Sequence, residues 1–209
     1  MIKLFYSPGS CSRASHIALE EAGATYEAVR VDTARGDQRK PEYLAVNPKG
    51  RVPALVTDRG VLTETPAILA WIAQVFPETG LAPTDPWEFA QAQSFNSYLA
   101  STVHVAHAHG RRGSRWADDD ASFADMRRKV PETMAACARL IEDEMLKGPW
   151  VLGDRFSVCD GYLFTVAGWL EGDGVDIKRF PKLHAHFELV RGRDAVRKVL
   201  AAEAAQRHA

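Results

Sequence analysis

Cys11 stands in the turn Pro8-Gly9-Ser10-Cys11-Ser12, between a strand-like run, Ile2–Tyr6, and a helical pattern, Ser12–Ala22. A thiol at that junction meets the unpaired N–H groups of the first helical turn, which concentrate about half a positive charge. Such a setting favours the thiolate and predicts a pKa below the roughly 8.5 of a free cysteine. Arg13 adds positive charge if its side chain bends back. The competing reading is a small, partly buried core residue.

The other cysteines, Cys137 and Cys159, lie far away in sequence. Three widely spaced thiols make neither a secreted disulfide framework nor a Cys-x-x-Cys zinc ribbon, and they point to a reducing cytoplasm. Cys159 also falls near a helix start, but its apolar surroundings predict burial and inertness. With 26 basic and 27 acidic residues the net charge is -1, which gives no sign of a nucleic-acid or anionic-membrane partner. A small neutral or zwitterionic ligand fits better. The N-terminus begins directly with the strand pattern, and no apolar run approaches about 18 residues, so neither export nor membrane insertion is expected.

The elements that must position Cys11 divide the 209 residues into two halves of different character. Eight of the 11 prolines precede residue 87, and Pro77, Gly80, Pro83 and Pro86 punctuate 76–87, which reads as a linker region. The predicted division is 1–77, a linker over 78–86, and 87–209. In the first half Ile2–Tyr6, Ser12–Ala22 and Tyr26–Val31 form a βαβ unit with Gly23 closing the helix. A polar stretch (Asp32–Lys40) and a short helix near Glu42–Ala45 follow. Pro53–Thr57 and Val61–Thr63 flank Asp58-Arg59-Gly60 as an antiparallel hairpin, before a helix over Thr65–Phe76 with Pro66 in its first turn. The order β-α-β then β-β-α predicts an α/β thioredoxin-like domain. The second half carries helical patterns over Glu88–His107, Ala121–Met145, Val158–Trp169 and, with interruptions, Pro181–Leu200, and predicts an all-α domain. Ser157-Val158-Cys159-Asp160 reads as a capping box.

Four segments carry a family likeness: Lys3-Leu4-Phe5-Tyr6-Ser7-Pro8-Gly9-Ser10-Cys11-Ser12, Val46-Asn47-Pro48-Lys49-Gly50-Arg51-Val52-Pro53-Ala54-Leu55, Thr63-Glu64-Thr65-Pro66-Ala67-Ile68, and Gly153-x-x-x-Ser157-x-x-Asp160. With these in order, the chain resembles the cytosolic glutathione transferases over essentially its whole length, nearest to the bacterial beta class. The resemblance implies a glutathione-binding first domain and an acceptor-substrate site in the helical domain. It implies glutathione as co-substrate with no permanently bound cofactor, and a homodimer.

Under this resemblance Pro53 is expected to be cis, with the N–H and C=O of Val52 pairing with the peptide backbone of glutathione as an added strand would. Glu64 and Thr65, at a helix start, hold the γ-glutamyl end; the alternative for Glu64 is a first-turn partner of the helix dipole alone. Thr65 stands where family members often carry serine or another small residue, so the hydroxyl is kept. Arg35 and Arg51 are candidates for the glycyl carboxylate. His104 lies where beta-class enzymes carry a histidine facing the site, as acid, base or orienting group. His107 follows it on the same helical face, whereas His109 points about 140° away, which argues against a metal site. His184 and His186 read as surface residues.

Tyr6, Ser10 and Cys11 compete to activate the thiol of glutathione. A hydroxyl would donate a hydrogen bond to the thiolate, whereas Cys11 could itself attack and form a mixed disulfide, favouring thiol-disulfide exchange or the reduction of peroxides. Ala14 occupies the place of a second cysteine, so glutathione would supply the resolving thiol. The expected reaction is attack of glutathione sulfur on a hydrophobic electrophile, with Trp116, Phe123, Phe164 and Trp169 either lining the acceptor pocket or forming core. The rivals are a glutathione-dependent thiol-disulfide oxidoreductase and a non-catalytic ligand-binding protein.

Overall fold

The computed structural model describes residues 1–206, so the last three residues of the predicted 87–209 segment lie outside the described residues. β1 (Ile2–Tyr6) runs parallel to β2 (Tyr26–Arg30), with Ile2 opposite Tyr26 and Tyr6 opposite Arg30. On its other side β1 pairs antiparallel with β3 (Ala54–Thr57), which turns tightly into β4 (Gly60–Thr63). The sheet order is β2-β1-β3-β4. α1 (Ser12–Glu21) crosses between β1 and β2, and Gly23, at φ 61°, turns the chain after it. α2 (Pro41–Leu44) is a single turn, and α3 (Thr65–Val75) packs against α1. This is the thioredoxin-like arrangement expected from the order of the elements.

The segment expected as a linker is bonded to the helical half, since the N–H of Val158 donates to the carbonyl of Leu81 at 2.9 Å and Leu81 is buried. α4 (Pro86–Tyr98) starts on Asp85, whose carboxylate accepts from the N–H groups of Trp87 and Glu88. It continues through a π-helical turn, Leu99–Val103, into α5 (His104–Arg111). The single helix expected over Glu88–His107 is therefore interrupted by a wide turn immediately before His104, the kind of helical defect found frequently at functional sites.

α6 (Asp120–Leu140) contains Pro131, and α7 (Val158–Ala167) is buried along its whole length. α1 lies between the sheet and α7. Gly161 of α7 permits the close approach, because a Cβ there would come within 3.1 Å of Ile17 on α1. α8 (Pro181–Arg191) and α9 (Asp194–Ala205) complete the described chain.

The capping box forms as expected: Ser157 and Asp160 bond reciprocally at the start of α7. Asp160, fully buried, also accepts from the N–H of Val151 at 2.7 Å and meets Nε2 of His186 at 2.8 Å. His186 is therefore not a surface residue: the carboxylate beneath α8 supplies the partner that lets an imidazole be buried. Cys159 is inaccessible, and burial pushes its thiol up to about 12.

Candidate active site

A cavity of about 720 Å³ opens between the end of β1, the start of α3 and the inner face of α5, with Cys11 on its wall. Cys11 is the N-cap residue of α1, and its Sγ lies 3.4 Å from the carbonyl oxygen of Val52. Burial pushes the thiol above its ordinary value, although Thr65 and Arg112 pull the other way. This runs against the low pKa expected at a helix N-terminus, because desolvation disfavours the thiolate. Arg13 does not bend back, because its guanidinium is fixed on the buried carboxylate of Glu203, with Nη2 at 2.7 Å.

The loop that presents Cys11 is held from the helical half at both ends of one residue. The N–H of Gly9 donates to Glu203 on α9 at 2.9 Å, and its carbonyl accepts from the indole N–H of Trp169 at 2.9 Å. Within the turn, the Ser10 hydroxyl lies 2.7 Å from that of Ser12 and accepts from the Ser12 N–H. Ser10 still borders the cavity.

Tyr6 does not. Strand alternation turns its ring beneath α1, 4.9 Å from His16, and its hydroxyl donates to Gln206 at 2.9 Å. Burial and Glu203 push that phenol above its ordinary value.

The Val52–Pro53 peptide bond is cis, as expected, and both residues line the cavity. Among the described residues the N–H of Val52 has no partner. Arg51 lies beside them, its carbonyl tied to Tyr43 and Asn47 and its side chain at the cavity wall. Arg35 is exposed outside the cavity, on a turn whose N–H groups bond to Asp32.

Glu64 has φ 72° and ψ 122°, the one non-glycine residue with positive φ among those described. A side-chain-bearing residue there carries roughly 1–3 kcal/mol of strain that the surroundings must hold. Its carboxylate meets Nζ of Lys49 at 2.6 Å. Thr65 opens α3 next to it, buried at the cavity wall.

From the helical half come His104, His107, Trp169 and Tyr162. His107 stacks on Trp169 with ring centroids 4.4 Å apart, and its Nδ1 lies 2.7 Å from Asp173. His104 packs 5.1 Å from the same indole. Burial, then Arg112, His107 and Arg115, lowers its pKa to about 4. His109 turns away to stack on Trp116 at 4.1 Å.

Of the four aromatic residues considered for an acceptor pocket, Trp116 and Trp169 line the cavity. Phe164 is core, stacked on Phe187, and Phe123 lies under the turn at Gly113. Tyr162 was hidden in an apolar run that reads as structural. It borders the cavity, and burial, then Cys11 and Glu64, push its phenol upward.

Two family models match the chain. The model of the glutathione S-transferase N-terminal domain matches residues 1–74, and that of the glutathione S-transferase C-terminal domain matches 109–189. Glutathione S-transferase GstA of Escherichia coli O157:H7 is 32% identical over 205 residues, covering 97% of this chain and 98% of the relative. The chain belongs to the glutathione S-transferase family.

Solved members of the glutathione S-transferase family superpose along nearly the whole chain. A glutathione transferase homologue from Sulfitobacter, with bound glutathione, is 52% identical at a TM-score of 0.93 and covers 95% of this chain and 96% of its own. The bacterial beta class enzyme of Sphingomonas chungbukensis is 38% identical at a TM-score of 0.84, covering 96% and 98%.

Proposed function

We propose that this protein is a beta-like glutathione transferase that binds reduced glutathione as co-substrate and conjugates it to hydrophobic electrophiles. The observation that carries the reading is the convergence on one cavity of Cys11, the Val52 backbone, the Glu64–Thr65 helix start and His104. The unpartnered N–H of Val52 suits the peptide of glutathione as an added strand. The N-terminus of α3, with Glu64 and Thr65, suits the γ-glutamyl carboxylate and ammonium, and Arg51 suits the glycyl carboxylate.

In the reaction the glutathione thiol releases its proton, the sulfur lone pair forms the new C–S bond, and the acceptor's leaving group departs with its electron pair. A thiolate in this cavity is stabilised by donors: the protonated thiol of Cys11, the neutral imidazole of His104, and the phenol of Tyr162. At a pKa of about 4, His104 is too weak a base to hold a thiol proton near pH 7, so it orients and donates, and the proton passes to solvent. Ser10 fixes the turn rather than contacting the sulfur.

Cys11 also supports a second reading, glutathione-dependent thiol-disulfide exchange. Its thiol borders the cavity, and Ala14 leaves glutathione to resolve the mixed disulfide. A cytoplasmic homodimer serving detoxification belongs to the same proposal, and the free thiols of Cys11, Cys137 and Cys159 suit a reducing compartment. Among the described residues no helix is long and apolar enough to cross a membrane.

The test is a glutathione-affinity column followed by parallel assays of electrophile conjugation and disulfide exchange on Cys11→Ser and Cys11→Ala. Conjugation is expected to persist in part while exchange disappears. Unchanged exchange would remove the nucleophilic role, and failure to bind the column would favour a ligand-binding protein of the same fold.

A further inference from the structure

The cavity carries more positive charge than glutathione can neutralise. Arg51, Arg112 and Arg115 all line it, and among the described residues none of the three has an ion-pair partner. Glu64 is the one carboxylate on the described wall, and Lys49 already faces it. Bound glutathione brings an ammonium and a carboxylate at its γ-glutamyl end, which cancel, one glycyl carboxylate and, when activated, one thiolate. With two negative charges set against three guanidinium groups, one positive charge remains.

That surplus lies on the helical wall. Arg112 directly follows α5, and Arg115 ends the short 3₁₀ turn Gly113–Arg115. The turn is pressed against α6: a Cβ on Gly113 would come within 2.8 Å of the Phe123 ring. Phe123 thus buttresses the segment bearing both arginines. The next residue, Trp116, presents an indole braced by His109. Arg115 is itself held below its ordinary value, by burial first and then by the neighbouring Arg112, Arg51 and Arg39.

We propose that Arg112 and Arg115 form a carboxylate-binding subsite beside Trp116, so that the preferred acceptor is an aromatic electrophile bearing a carboxylate. The inference rests on the reading that glutathione fills the Val52–Glu64 side of the cavity. A guanidinium fork matches a planar carboxylate in two parallel hydrogen bonds, while the indole covers the adjoining ring.

The test compares 4-chloro-3,5-dinitrobenzoate with its neutral amide, each rate corrected for the spontaneous reaction. In both, glutathione sulfur bonds to the chlorine-bearing ring carbon, chloride leaves with the C–Cl electron pair, and the thiol proton goes to solvent. The wild-type protein is expected to favour the benzoate. Arg112→Gln and Arg115→Gln should each reduce the benzoate-to-amide ratio of kcat/KM by about tenfold, the size of one charge-assisted hydrogen bond. The double variant should abolish the preference.

A ratio unchanged in the double variant would overturn the subsite, as would a loss confined to the KM for glutathione. Calorimetry keeps the subsite separate from catalysis, using 3,5-dinitrobenzoate, which has no chloride to lose, on protein loaded with S-methylglutathione. Binding that weakens in the double variant supports the subsite even if neither chloride probe is turned over, a result that would instead count against conjugation of aryl chlorides. Equal binding to wild type and double variant would overturn the subsite while leaving that reading in place.

Discussion

Burial raises the Cys11 thiol above its ordinary value against the pull of Thr65 and Arg112, which favours the protonated form. Its alkylation by iodoacetamide should therefore be slower than that of a free cysteine and should rise only above pH 8.5 or so; rapid modification at pH 7 would show the thiolate instead. His104 behaves as the opposite case, a base kept neutral. Its folded pKa of about 4 lies below the unfolded value of 6.5, so from pH 6.5 down to 4 the unfolded chain binds a proton that the folded chain does not. Stability attributable to His104 is intact above 6.5 and is lost as pH falls through that window, on the order of 3 kcal/mol. His104→Gln should flatten this part of the stability curve, read by urea unfolding at several pH values. The position of Cys11 was legible from its turn, but its protonation was not. Burial depends on Val52 and Thr65, more than 40 residues away, and no local pattern carries that information.

The helix starts divide into one that stabilises the fold and one that stores strain. At α7, Asp160 holds Ser157, Val151 and His186 together while fully buried. Asp160→Ala leaves those groups without an acceptor and should cost about 3–5 kcal/mol, whereas Ser157→Ala should cost about 1 kcal/mol; urea midpoints distinguish the two. At α3, Glu64 holds a backbone conformation suited to glycine. Glu64→Gly is therefore expected to raise stability by about 1 kcal/mol while weakening glutathione binding in calorimetry. Both helix starts were legible, since Ser-x-x-Asp and Thr-Pro are local signals. The π turn before His104 and the burial of His186 were not. The first changes the angular position of every later residue on α5 without a proline or glycine to announce it, and the second depends on a carboxylate from another helix.

Across the whole molecule, the helical half fixes the loop of the sheet half through Glu203 and Trp169, one at each end of Gly9. Glu203 is buried and paired with Arg13, so Glu203→Gln should cost several kcal/mol and lower conjugation with it. Trp169→Phe keeps a ring against His107 but removes the Gly9 bond, and should lower kcat more than stability. Steady-state kinetics alongside thermal melts would show the difference. Domain order and sheet topology were readable from proline distribution and strand spacing, whereas this clasp joins residues 160 and more apart in sequence. On the proposed function the cavity seats glutathione with its sulfur at Cys11. The most direct measurement is a crystal structure with glutathione soaked in. The γ-glutamyl end should lie at Glu64 and Thr65, with backbone hydrogen bonds to Val52 and the sulfur within about 4 Å of the Cys11 thiol. A tripeptide bound elsewhere, or bound with its sulfur turned away from Cys11, His104 and Tyr162, would contradict it.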